Sequence, residues 1–236
     1  MGIRRYWPVI RRVWITVGLT LTAVFVVWSL IAYRPTTRLK SSTLVFFPGA
    51  LVSPKAYAPL ARSVAEAGYP VLVVELPYRG AFGGAESPEL QMRIASALAS
   101  ITENHSIVVG GHSRGAVIAS RLSVRTPEPS GVILIGTSHP RDVDLSRLEI
   151  PVTKIVGTRD GIATQEKVVA NAFLLPDRMR WVWIDGGNHS QFGWYGFQPM
   201  DWRANISAAE QRNIMTQAVL DLMQTVDSNK NQRIDR

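Results

Sequence analysis

At 236 residues, with 46% of them hydrophobic, the chain is long enough for one domain with a full core and too short for two enzyme-sized domains joined by a linker. It has no cysteine, which excludes a disulfide framework, a thiolate metal site and a cysteine nucleophile. The formal net charge of +8 is concentrated at one end: Arg4, Arg5, Arg11, Arg12, Arg34, Arg38 and Lys40 occur in the first 40 residues with no acid among them. The remainder is nearly neutral, so no nucleic-acid partner is expected.

In chain order, the first candidate element is Val13 to Tyr33, 21 residues without a charge between Arg12 and Arg34. As a helix it would span about 30 Å, one bilayer crossing. A cleaved signal peptide fits less well, because its apolar region is usually about 7 to 15 residues long and ends at a small-x-small site. The expectation is a single retained anchor within residues 1–40, which makes the lipid bilayer a partner. Basic residues on both sides give only weak orientation, favouring a cytoplasmic N-terminus and an extracytoplasmic domain.

From Ser42 onward, short apolar runs alternate with longer amphipathic stretches, the pattern of a mostly parallel sheet covered by helices on both faces. Strands are predicted at Thr43–Phe47, Val71–Glu75, Ile107–Gly110, Val132–Ile135, Val152–Val156 and Trp181–Ile184. Helices are predicted at Tyr57–Ala67, Glu89–Ile101, Arg114–Val124, Gln165–Phe173 and Ala208–Gln224. Gly68 should stop the first of these helices. Residues 41–226 form the expected domain, and residues 227–236 read as a polar, frayed tail. The start of that tail, Asp227-Ser228-Asn229-Lys230-Asn231, begins like a calcium loop but lacks its turn glycine and its final acid. No metal site is expected.

The sharpest chemical signal is Gly111-His112-Ser113-Arg114-Gly115, lying between a predicted strand and a predicted helix. By composition such a Gly-x-Ser-x-Gly string should occur about 0.08 times in a chain of this length. A turn this tight strains the serine backbone and demands small residues two positions to either side. The serine oxygen then stands above the C-terminal sheet edge, at a helix N-terminus that favours developing negative charge.

A serine hydroxyl needs a base, usually a histidine held in one tautomer by an acid. Four histidines are available. His105 precedes its strand, at the wrong sheet edge, and His112 should be directed elsewhere by the turn. His139 is on the correct edge but in a helix-less turn, and is the second candidate. His189, in Gly186-Gly187-Asn188-His189 beyond the last strand, completes the chain order Ser, Asp, His and is the expected base. The expected acid is Asp160, directly after Val152–Val156. Asp142 and Asp144 remain open as variants, whereas Asp185 is too close to His189 in sequence to orient it.

Elbow, acid turn and histidine loop together resemble the small bacterial α/β-hydrolases, near the α/β-hydrolase fold-5 group and the dienelactone-hydrolase-like proteins. The resemblance covers residues 42–225 and also rests on Phe47-Pro48-Gly49-Ala50 and on Gln191-Phe192-Gly193-Trp194-Tyr195-Gly196. It implies a three-layer α/β-hydrolase fold with backbone N–H groups of Ala50 and Arg114 as an oxyanion hole. Each such donor is typically worth about 2.7 to 4 kcal/mol in the transition state. Many relatives have His-Gly where this chain has Pro48-Gly49, which leaves the donor's identity open. Only about 16 residues separate Ile135 from Val152, so no large cap domain fits there.

Substrate contacts are expected from Leu51, Tyr78 and Phe192. The expected activity is hydrolysis of an ester or related acyl bond in a small-molecule substrate, without a cofactor. An acyltransferase, or an inactive membrane-tethered scaffold of the same fold, are the alternatives.

Overall fold

The structure is a computed structural model that describes residues 15–17, 39–101, 103–125 and 128–234. The chain divides into two compact units, Met1–Arg38 and Leu39–Arg236. Ile15 to Val17 of the first unit are helical. The rest of the expected membrane segment lies outside the described residues, and among those described no helix is long and apolar enough to cross a membrane.

The second unit is built on six strands: β1 (Ser42–Phe47), β2 (Val71–Val73), β3 (Ser106–His112), β4 (Gly131–Ile135), β5 (Val152–Gly157) and β6 (Arg180–Ile184). They form one sheet in the order β2-β1-β3-β4-β5-β6, with every neighbouring pair parallel. Both faces must then be covered, and this explains why the strands are mostly apolar, with Lys154 a charged exception in β5. Along β1 the side chains alternate between two cores. Leu44 and Phe46 pack with α1 (Ala58–Glu66) and with a long helix at Ala208–Ile234. Val45 and Phe47 pack with α2 (Pro88–Ala99) and α3 (Arg114–Leu122). The predicted three-layer arrangement is therefore observed, and the β4–β5 connection contains no helix.

Local chemistry sets the helix ends. Ser87 caps α2 by accepting from the Leu90 N–H at 3.2 Å, with Pro88 in the first turn where its missing N–H costs nothing. Gly68 takes φ of 96° just after α1, the left-handed stop its position suggested. The short α4 (Gln165–Val169) ends sooner than predicted, because the Asn171 amide bonds the Lys167 and Ser138 carbonyls and turns the chain into a 3-10 turn at Ala172–Leu174.

The C-terminal tail corrects the sequence reading. Helix α5 (Ala208–Ile234) runs straight through the segment expected to fray. Asp227 accepts a hydrogen bond from Ser42 at the start of β1, and Lys230 donates to the carbonyl of Asn104. These polar residues are fastened to the sheet's N-terminal edge rather than solvated.

One feature of the core is chemically costly. Lys154, on β5 between Leu134 and Trp181, is fully buried, and its ammonium donates to the His139 carbonyl. Burial pulls its pKa from 10.5 down to about 7. Between those values the unfolded chain binds more protons than the folded one, so stability rises with pH across that window and carries the full penalty below it. The expected gain is on the order of 1 kcal/mol per pH unit. Thermal unfolding of the full chain between pH 7 and 9 should show it, and Lys154→Met should unfold at a higher temperature at pH 7 and lose the slope. A variant with an unchanged slope would contradict this origin.

Candidate active site

The tip of β3 and the first turn of α3 form the elbow. Ser113 has φ of 53° and ψ of −115°, a backbone conformation that costs about 1–3 kcal/mol and persists only where the surroundings enforce it. The glycines on either side are sterically required. A Cβ on Gly115 would stand 1.9 Å from the Phe47 carbonyl oxygen, and one on Gly111 would stand 2.3 Å from the Gly115 carbonyl carbon. The turn can therefore close only with hydrogen at both positions.

Asp160 and His189 meet as expected. One carboxylate oxygen of Asp160 lies 2.8 Å from His189 Nδ1, and both side chains are essentially inaccessible to solvent. The other oxygen accepts from the N–H groups of Ile162 and Ala163 at 2.9 and 2.6 Å. Asp160 is thus both the former of its own turn and the partner of the imidazole. With Nδ1–H donated to a carboxylate, Nε2 keeps its lone pair. That atom is buried and has no hydrogen-bond partner, so no bond joins it to Ser113 Oγ in this structure.

His112 is not turned away from the site, as the motif alone suggested. Its ring is buried, with its centroid 4.5 Å from that of His189 and 5.5 Å from that of Phe192. The Gly49 N–H donates to the Tyr57 hydroxyl at 3.1 Å, and that hydroxyl stands 2.7 Å from His112 Nδ1. The phenol accepts from Gly49 and has its own proton to share with His112 Nδ1, while His112 Nε2 is buried without a hydrogen-bond partner. Burial first, and repulsion from His189 second, hold His112 well below the usual imidazole range, so it stays neutral beside the pair. Tyr57 also ties the loop carrying Gly49 and Ala50 to the elbow: a Cβ on Gly49 would lie 3.6 Å from Ser113 Cβ. Among the described residues neither the Ala50 nor the Arg114 N–H has a hydrogen-bond acceptor. Both are free to bind an oxyanion.

The other candidates are engaged elsewhere. His105 Nδ1 lies 3.0 Å from Thr43 Oγ1 at the opposite sheet edge. His139 pairs with Asp142 at 3.4 Å, and burial lowers its pKa against the pull of that carboxylate. Asp142 also binds Arg121 at 2.7 Å. Asp144 accepts from the Ser146 N–H, and Asp185 accepts from the Thr158 hydroxyl.

Of the three expected substrate contacts, Leu51 and Tyr78 are each 70% exposed on the rim. Phe192 is a correction. It is 1% exposed and belongs to the core behind His112, because the chain after His189 makes a 3-10 turn that points it inward. The rim is conformationally strained: Leu51, Tyr78, Arg79 and Phe82 all have φ between 48° and 63°. The Leu51 N–H bonds the Arg79 carbonyl at 2.7 Å, joining the two rim loops.

Asp201 is a residue that sequence reasoning missed. Its buried carboxylate accepts from the N–H groups of Gly161, His189, Ser190 and Trp202, and from the Ser190 hydroxyl at 2.6 Å. It clips the acid turn to the histidine loop. Asp201→Asn places an amide against this cluster of donors and should lower kcat by about 10- to 100-fold with little change in KM, since displacement of about 1 Å costs rates of that size. Steady-state kinetics on the variant check this, and a change confined to KM would contradict it.

The geometry invites comparison with known proteins. Residues 43–213 match the model of the alpha/beta hydrolase family. The chain belongs to that family. No curated protein sequence shows significant similarity to it. An alpha/beta-superfamily protein from Xanthomonas campestris pv. campestris aligns with a TM-score of 0.57 at 16% identity, over 79% of this chain and 99% of that one. A serine hydrolase without a lid from Xanthomonas campestris aligns with a TM-score of 0.56 at 16% identity, over 80% and 85%. Esterase 2 of Thermogutta terrifontis gives 0.54 at 16% identity, over 80% and 86%. At this identity these alpha/beta hydrolases share the fold with the present chain, and its own residues must carry the argument for its reaction.

Proposed function

We propose that this alpha/beta hydrolase is a serine hydrolase that cleaves esters or related acyl bonds of small-molecule substrates. The observations that carry the reading are the 2.8 Å pairing of His189 with Asp160, and a serine held at an elbow that admits only glycine on either side, directly after His112, whose ring centroid lies 4.5 Å from that of His189. Ser113 Oγ attacks the acyl carbon as its proton passes to His189 Nε2. Asp160 keeps Nδ1 protonated and stabilises the imidazolium. The N–H groups of Ala50 and Arg114 bind the oxyanion. The carbon–oxygen bond to the leaving group breaks as that group takes the proton from His189. Water, deprotonated by the same imidazole, then attacks the acyl-serine and releases the acid. The missing Ser113–His189 bond is compatible with this, since catalytic hydrogen bonds in unliganded sites often tighten only with substrate. Neutral His112 leaves the transient imidazolium without a second positive charge beside it.

The experiment is hydrolysis of p-nitrophenyl acetate and butyrate by the full chain. A burst of one p-nitrophenolate per protein, followed by slower turnover, is expected from acyl-serine accumulation. Hydrolysis no faster than in buffer would contradict the proposal. Added alcohol acceptors, if they captured most of the acyl group, would redirect the assignment to acyl transfer.

The uncharged stretch from Val13 to Tyr33, flanked by arginines, supports the further proposal that the domain is tethered to a bilayer. Retention of full-length protein in carbonate-washed membranes is expected, and its release into the supernatant would count against the tether.

A further inference from the structure

A concave surface whose lining includes neither Ser113 nor His189 lies beyond the histidine loop. It is a cleft of about 930 Å³ between the loop after His189 and the start of α5. Trp194, Tyr195 and Phe197 provide its apolar wall, and among the described residues Arg203 and Arg212 provide its only charges, with no carboxylate lining it. Tyr195, one of its walls, donates through its hydroxyl to the His189 carbonyl at 3.2 Å.

Two features of this cleft call for the same kind of occupant. The Arg212 guanidinium lies 4.0 Å from the Trp194 ring centroid, and among the described residues neither it nor Arg203 has a carboxylate partner. Burial lowers the Arg212 pKa with no acid offsetting it, which is the condition of a cation lacking its counter-ion. The first turn of α5 also opens onto the cleft at Ala208, adding the positive end of a 27-residue helix. Glu210 in that turn is exposed and does not line the cleft.

We propose that this cleft binds an acidic single-chain amphiphile. Its phosphate or carboxylate head sits between Arg203 and Arg212, and its apolar body lies along Trp194, Tyr195 and Phe197. Arginine suits this role because its planar fork binds either anion in bidentate fashion while its face stacks on an aromatic ring. Exposure of Trp194 at 60% and Phe197 at 61% gives the body a wide apolar surface to cover. The inference rests on the cleft alone and is independent of the chemistry at Ser113.

Isothermal titration of the full chain, and of its Ser113→Ala variant, with octyl phosphate and with octanoate tests it, at concentrations below micelle formation. One saturable site for at least one of these anions is expected, equal in both proteins, with preference between the two identifying the head group. Arg212→Gln and Arg203→Gln should each weaken binding at least tenfold. Arg203 is exposed, so its loss cannot be ascribed to unfolding, and Arg212→Lys should retain part of the affinity. No binding of either anion, equal binding of octanol or octyltrimethylammonium, or undiminished affinity in both glutamine variants would overturn the proposal.

Discussion

Ser113→Ala is expected to lower kcat for p-nitrophenyl ester hydrolysis by about 10⁴- to 10⁶-fold, the range seen when a nucleophile acting in concert with its base is removed. The residual rate, from the oxyanion donors and from binding alone, should still exceed that of water. KM should change little if, as proposed, the substrate's acyl and leaving groups are met by the rim and not by the hydroxyl. The substitution relieves none of the backbone strain, since alanine at φ of 53° is as uncomfortable as serine. The unfolding temperature should therefore remain close to that of the parent. Retained turnover in the folded variant would remove Ser113 from the mechanism.

Asp160→Asn should lower kcat by about 10⁴-fold, for a reason specific to how its two oxygens are used. The oxygen accepting from Ile162 and Ala163 can be kept by an asparagine carbonyl, so the acid turn survives. The other position then presents an amide N–H to His189 Nδ1 in place of an acceptor. The imidazole must offer Nδ1 as a lone pair and carry its proton on Nε2, the atom that has to accept from Ser113. The base is present but in the wrong tautomer. Steady-state kinetics should show the loss in kcat with a folded protein by circular dichroism. A variant within tenfold of the parent would indicate that another carboxylate orients the ring.

Much of this was legible in the sequence because the responsible forces are local. A strand covered on both faces must be largely apolar, so Val132–Ile135 identifies itself, and Val152–Val156 does so despite Thr153 and Lys154. A nucleophile elbow must have glycine where a Cβ would meet backbone, and so Gly111 and Gly115 mark Ser113. What escaped is what depends on distant segments meeting. The polar residues after Val226 look like a tail until Asp227 finds Ser42, 185 positions away. Asp201 shows no motif, since all but one of its hydrogen bonds come from backbone N–H groups, which carry no side-chain signature. Phe192 and Tyr195 stand in one aromatic loop, and nothing in their spacing says that the first fills the core while the second walls a cleft. The inward placement of His112 depends likewise on Tyr57, 55 residues earlier.

The most direct measurement is active-site labelling with a fluorophosphonate, followed by peptide mapping by mass spectrometry. If the strained Ser113 is served by the imidazole that Asp160 orients, the protein should be phosphonylated once, on the peptide containing Ser113, and labelling should fall steeply in the His189→Ala variant. An unlabelled protein, or a phosphonate on any serine other than Ser113, would contradict the account.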